Sequence, residues 1–286
     1  MKIHPLAIVH PTAKLGHNVT IGPFAIVEAN VAIGHNCTIE ARVVLKADTT
    51  LGDNNHVFEG AVLGGLPQHV RMPERPGSLI VGSGNTLREN VTIHRAMEEG
   101  HLTIVGNNNL LMVSAHIAHD CHVGNHVIFA NNCMMAGHVL VEDRAFVSGG
   151  VAVHQFCRIG RMAMVGGQAR VVKDVPPFVT IDGASNFVVG LNSIGLRRNG
   201  ATTTEITELK MAYRLVYRSG LKWSEILDRL GHDFREGIAG HFYEFFIRSQ
   251  RGITQERRMP PGATIKMPEA AEPAANATPA VRAKAG

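Results

Sequence analysis

Along most of this chain an aliphatic residue returns at every sixth position. The series runs Val9, Leu15, Ile21, Val27, Ile33, Ile39, Leu45, Leu51, Val57 and Leu63. It resumes at Val81, Leu87 and Ile93, and again from Val105 through Leu111, Ile117, Val123, Phe129 and Met135 to Val171. An amphipathic helix shows spacings of three and four, and a half-buried strand a spacing of two. A beat of six marks a parallel β-helix, in which three hexapeptides close one triangular coil and coils stack roughly 4.8 Å apart. A second inward position, four after the aliphatic one, is expected to be small. It holds Ala13, Val19, Ala25, Val31, Cys37, Val43, Ala61, Cys121, Cys133 and Cys157. Glycine often follows the aliphatic residue, as at Gly16, Gly22, Gly34, Gly52 and Gly106, where it is expected to permit the corner turn.

The beat divides the chain. Residues 1–181 are expected to form the solenoid, with two ejected loops near 65–78 and 96–102. Long loops leaving a rigid scaffold usually serve function. Residues 182–254 read as a small helical domain. Thr202 and Glu205 form a capping box ahead of a helical run with Ile206, Leu209, Met211, Ala212, Leu215 and Val216, which Gly220 ends. Further helices are expected over Ser224–Leu230 and over Glu236–Arg248, the latter with Phe242, Phe245 and Phe246. The Pro- and Ala-rich stretch 255–286 is expected to be disordered.

Composition agrees with a narrow, repetitive interior. Aromatic residues make up only 5% of the 286 residues, and there are 30 glycines. The net charge of +4 gives no bulk footprint for nucleic acid. No apolar run is long enough to span a membrane, and Met1-Lys2-Ile3-His4-Pro5 does not read as a secretory leader, so a cytoplasmic location is expected. Four cysteines without close pairing fit a reducing compartment.

The register also sorts the histidines. His116, His119, His122, His126, His138 and His154 all miss both inward positions and are expected on the outer wall or at a corner. A single outward imidazole is ordinarily solvated surface. Here His116 and His119 share one edge of a coil, and His138 and His154 fall roughly one and two coils further on, so that the four line one groove. Asp120 is placed to orient His119 or a neighbouring imidazole and raise its basicity. No serine or cysteine has a convincing activating partner, and the register turns Cys121 inward.

Several longer stretches carry a resemblance. Asn90-Val91-Thr92-Ile93-His94-Arg95, Ala115-His116-Ile117-Ala118-His119-Asp120-Cys121, Ala136-Gly137-His138, Val153-His154-Gln155-Phe156-Cys157 and Asp174-Val175-Pro176-Pro177 resemble the acyl-ACP–UDP-N-acetylglucosamine O-acyltransferase family, over about residues 5 to 252. The resemblance implies an all-β left-handed parallel β-helix followed by a small α-helical C-terminal domain. It implies the first step of lipid A biosynthesis, with His119 removing the proton from the sugar 3-hydroxyl and that oxygen attacking the thioester of a 3-hydroxyacyl chain on acyl carrier protein. Asp120 would support the imidazole, and the Gly137 N–H would stabilise the oxyanion. His116, His138, His154 and Gln155 would bind sugar, diphosphate or acyl hydroxyl, joined by Gln68 and Arg71 from the first loop. Asn192 and Arg198 would hold the nucleotide, Arg198 through charge-assisted bonds. The site would lie between subunits of a homotrimer, and no cofactor, metal, nucleic acid or stable membrane insertion is implied. Gly167 matches the position that limits acyl length; a glycine there implies a deeper groove and a longer chain, with Met164 lining it.

The chain departs from the family at four places. His69 and Arg71 stand where an Asp and a Lys are usual, Ile194 where an acidic residue is common, and Asn199 where a second Arg is common. Three other readings stay open on sequence. One is an N-acyltransferase acting on an amino-sugar nucleotide, which the same base would serve. Another is a zinc enzyme of the γ-carbonic anhydrase type, although His116, His119 and His122 are not expected to converge. The third is a non-catalytic binding solenoid.

Overall fold

A computed structural model describes residues 1–257. The chain winds as a left-handed parallel β-helix with three faces, whose sheets hold eleven, nine and eight strands. One coil shows the scheme. Leu110–Leu111 lies on the first face, His116–Ile117 on the second and His122–Val123 on the third. The next coil repeats each strand eighteen residues on: Leu110 pairs with Ile128, His116 with Met134 and His122 with Leu140. Both inward positions are filled as the register requires: Ile117 and Cys121 are each 0% exposed, and all four cysteines are buried and free. Val9, Ala13 and Leu15 in the first coil stay partly exposed, because that end of the stack has no coil above it.

The expectation about the turns is corrected, and the interior holds a feature beyond the expected small size. The glycine after the aliphatic residue is not the turn residue. The left-handed conformation falls two positions later, at Asn18 (φ 56), Asn36 (φ 56), Asn54 (φ 57), Asn108 (φ 56) and Asp120 (φ 57), residue types that tolerate it. The glycines answer a different constraint, the approach of the next coil. A Cβ at Gly34 would stand 2.6 Å from the Gly52 carbonyl carbon, and one at Gly106 2.8 Å from that of Gly124. The second inward position is also not always apolar. Asn55, Asn85 and Asn109 occupy it in successive coils, at 1%, 1% and 2% exposure. The Asn55 Oδ1 accepts from the Asn85 N–H, the Asn85 Oδ1 from the Asn109 N–H and the Asn109 Oδ1 from the Val127 N–H, at 2.9, 2.9 and 2.7 Å.

Both loops leave the same corner. The first runs from Gly65 on the second face to Ser78 on the third, the second from His94 to Leu102, again from second to third. The solenoid closes with Val179–Ile181, and Val188–Leu191 folds back antiparallel to it. Among the described residues four helices follow: α1 (Ser193–Arg198), α2 (Thr203–Arg218), α3 (Trp223–Asp233) and α4 (Gly240–Phe246). The capping box at Thr202 and Glu205 is present, whereas the last helix is shorter than expected. The expected disorder from 255 begins too early. Arg257 N–H donates to the Val188 carbonyl at 2.8 Å, and the Glu256 carboxylate binds Tyr213 Oη at 2.8 Å and the Arg218 guanidinium. The rest of that stretch, 258–286, lies outside the described residues.

Candidate active site

His119 sits on the corner between the second and third faces, where both loops arrive one and two coils earlier. The interior excludes it, but the loops cover it, and only 8% of the residue is exposed. The outward position expected of His119 is what the structure shows, outside the prism and under the cover of the loops. His119 Nδ1 and Asp120 Oδ2 are 2.8 Å apart. An ionised carboxylate only accepts, so the proton belongs on Nδ1 and the lone pair on Nε2. Asp120 is fixed in turn: its Oδ2 accepts from the Met97 N–H at 3.1 Å and its own N–H donates to Thr103 Oγ1 at 2.8 Å.

The ring packs its Cε1–Nε2 edge against Gly137 on the next coil, where a Cβ would come within 2.5 Å of Cε1 and 2.7 Å of Nε2. Only glycine leaves room for the ring. The Gly137 N–H has no acceptor among the described residues, and so remains available to an oxygen at this corner. Three more imidazoles surround the pair. His138 meets His119 edge-on at 5.2 Å and stacks on Phe156 at 4.6 Å. His69 meets His119 edge-on at 6.0 Å, and His101 Nδ1 lies 4.0 Å from Asp120 Oδ1. His116 lies on the second face, its Nδ1 2.8 Å from Thr92 Oγ1 and its ring 4.9 Å from that of the buried His94. Burial pushes His94 down to about 4, reinforced by His116 and His119, and burial lowers His116 as well. His138 is also lowered, burial outweighing the pull of Asp120. These rings are neutral donors and acceptors near pH 7.

His119, Asp120, Gly137 and His138 are thus brought together. His154 and Gln155 continue the corner column one coil beyond Gly137, both exposed, with His154 Nδ1 3.1 Å from the Gln155 carbonyl oxygen. Gln68 and Arg71 are exposed on the first loop, and of that loop it is His69 that reaches the base. His94, His101, Thr92 and Thr103 were not singled out by the register. Cys121 is inert, its thiol pushed up to about 12 by burial. His119, Asp120 and His138 offer ligand atoms within 4.8 Å of one another, but the carboxylate oxygen there already holds His119 and the Met97 N–H. His122 is exposed on the third face and His116 is committed to Thr92, so the three imidazoles of the zinc reading go to separate surroundings.

The remaining predicted residues occupy a different place. Met164, Asn192 and Arg198 line one groove of about 760 Å³ over the first face. Asn192 is committed to the protein itself: its Oδ1 caps α1 at the Gly195 N–H, at 2.9 Å, and its Nδ2 donates to the Met162 carbonyl at 2.9 Å. It positions the helix that carries Arg198. Gly167 is exposed nearby, with room for a Cβ no closer than 3.4 Å to its neighbours. In a triangular prism the corner between the second and third faces is opposite the first face. A single chain therefore carries the base and the groove on opposite sides.

Residues 174–254 match a family model described as UDP N-acetylglucosamine O-acyltransferase, domain 2, and residues 102–137 match one for the bacterial transferase hexapeptide. An acyl-[acyl-carrier-protein]–UDP-N-acetylglucosamine O-acyltransferase of Neisseria meningitidis is 48% identical over 253 residues, covering 88% of this chain and 98% of that protein. One from Halorhodospira halophila is 44% identical over 255 residues, again with 88% and 98% coverage. The crystal structure of a UDP-N-acetylglucosamine acyltransferase from Bacteroides fragilis superposes with a TM-score of 0.85 at 39% identity, covering 88% of this chain and 99% of that one.

Proposed function

Because this chain belongs to the acyl-[acyl-carrier-protein]–UDP-N-acetylglucosamine O-acyltransferase family, we propose that its chemistry runs at the corner carrying His119, with that imidazole as general base. The reaction moves a 3-hydroxyacyl chain from acyl carrier protein to the 3-hydroxyl of UDP-N-acetylglucosamine and opens lipid A biosynthesis. His119 Nε2 takes the hydroxyl proton as the sugar oxygen attacks the thioester carbonyl. The Gly137 N–H meets the oxyanion that forms, a preorganised donor in a covered site. Collapse breaks the carbon–sulfur bond, and the imidazolium returns its proton to the departing thiolate. Asp120 holds the tautomer and stabilises the imidazolium. His116 and His138, kept neutral, hydrogen-bond the sugar and acyl hydroxyls, with His154, Gln155, Gln68 and Arg71 at the margin.

The observation that carries this reading is the 2.8 Å His119–Asp120 bond, which leaves Nε2 free on the ring edge beside Gly137. The site is completed by a second copy of the chain in a homotrimer, since base and groove lie on opposite sides of one prism. The groove with Arg198 takes the nucleotide, and the open space at Gly167 admits a long acyl chain. No helix among the described residues is long and apolar enough to cross a membrane.

Incubation with UDP-N-acetylglucosamine and a series of 3-hydroxyacyl carrier proteins, with products weighed by mass spectrometry, tests the reaction. His119→Ala is expected to lower kcat by about a thousandfold and to leave the unfolding midpoint nearly unchanged. A variant that unfolds while its folded fraction keeps full specific activity would remove His119 from the chemistry.

A further inference from the structure

The groove over the first face gathers cations that nothing neutralises. Arg144 and Arg198 both line it, and none of its lining residues is a carboxylate. Neither arginine has an ion-pair partner among the described residues, whereas neighbouring Arg158 is paired with Glu142 and Arg161 with Asp143. Arg144 is nonetheless held. Its Nη1 donates to Asn199 Oδ1 at 2.7 Å, and the Asn199 Nδ2 donates to the Gly195 carbonyl of α1 at 2.8 Å. The amide is therefore oriented by the helix backbone so that its oxygen faces the guanidinium. This contact spans the solenoid corner and the helix that carries Arg198, and it brings two planar forks to one rim above an apolar floor of Ile128, Phe146 and Met164. Arg144 itself stands in the left-handed conformation, φ 60, where a long side chain is an uncommon choice.

One anchored guanidinium, that of Arg144, and a second on the same rim, that of Arg198, with no carboxylate among the lining residues, match a phosphoryl anion, which offers several acceptor oxygens to fork-shaped donors. The volume of the groove fits a ligand of nucleotide size. We propose that Arg144 binds the diphosphate of the sugar nucleotide together with Arg198, and that Asn199 is the positioning residue that holds it there. This rests on the reading above that UDP-N-acetylglucosamine is the acceptor. The phosphodiester of the acyl carrier's prosthetic group has the same chemistry and is the competing source.

The test uses Arg144→Asn, because asparagine tolerates the left-handed backbone, together with Arg144→Lys and Asn199→Ala. UDP is titrated into each full-length protein by calorimetry, with uridine as the phosphate-free control, and KM is measured for both substrates. Arg144→Asn is expected to weaken UDP binding and raise KM for UDP-N-acetylglucosamine by about ten- to a hundredfold, the scale of a lost hydrogen bond to a charged group. Uridine binding, kcat and KM for the acyl carrier protein should not move. Arg144→Lys should recover part of the loss, and Asn199→Ala should produce a smaller one. Unchanged UDP affinity in Arg144→Asn, or a KM shift confined to the acyl carrier protein, overturns the assignment. If the native protein acylates no sugar nucleotide, the functional reading fails by itself, while UDP calorimetry still decides the role of Arg144.

Discussion

A histidine becomes a base through what its other nitrogen touches. His119 has one partner of fixed polarity, the Asp120 carboxylate, and that partner is held by the Met97 N–H from the second loop. The periodicity revealed the first half of this arrangement, because a beat of six leaves position 119 out of the core. It could not reveal the second half, since the loop is aperiodic and its approach depends on tertiary packing. His94 shows the same limit. It follows the inward Ile93 and reads as an outward residue, yet it is 8% exposed and its Nδ1 has no hydrogen-bond partner among the described residues. A ring buried this way titrates at about 4, pushed down chiefly by burial, against roughly 6.5 in an unfolded chain. Below 6.5 the unfolded chain takes up a proton that the folded one refuses, so stability falls as pH drops toward 4. The loss from this one group amounts to about 3 kcal/mol. Denaturant unfolding from pH 7 to pH 4 should show this slope, and His94→Gln should flatten it; equal slopes in both proteins would place the orphan ring in contact with water.

At the scale of the coil, the interior rule was legible as a size rule and no further. Small residues were expected at the second inward position, and asparagine is small, but the amides of Asn55, Asn85 and Asn109 also satisfy backbone N–H groups from coil to coil. Nothing in a hydrophobic beat signals such a ladder. Asn85 lies in its middle, accepting from Asn109 and donating its Nδ2 to Asn55 Oδ1 at 3.0 Å. Asn85→Ala strands the buried Asn109 N–H, at a cost of about 1–3 kcal/mol, whereas Asn55 Oδ1 keeps the backbone N–H of residue 85. A loss of about 2 kcal/mol in unfolding free energy is expected, against under about 1 kcal/mol for Asn107→Ala on the exposed wall of the next coil. Equal effects would mean that the ladder contributes only packing. The C-terminal boundary was missed for a related reason. Gln255–Arg257 belong by composition to the Pro- and Ala-rich stretch, but their partners Val188, Tyr213 and Arg218 are far away in sequence.

For the whole molecule, the proposed function asks for more than one chain. The covered base occupies the corner between the second and third faces, and the cationic groove lies over the first. A rigid prism cannot fold back to join them. A neighbour in a cyclic assembly can present its groove to this corner, and threefold symmetry then closes the ring with equivalent sites. Two defective chains should therefore repair each other. His119→Ala keeps the groove and loses the base, while Arg198→Ala keeps the base and weakens the groove. Co-expressed in equal amounts and assembled at random, the base is intact in about half of the composite sites and the groove in about half. About one quarter of sites then carry both. Assayed well below the KM for UDP-N-acetylglucosamine, the mixture should reach about one quarter of native activity, although each variant alone is nearly inactive. Activity no greater than the average of the two separate variants would mean that each chain completes its own site, and the opposition of corner and groove would lose its functional meaning.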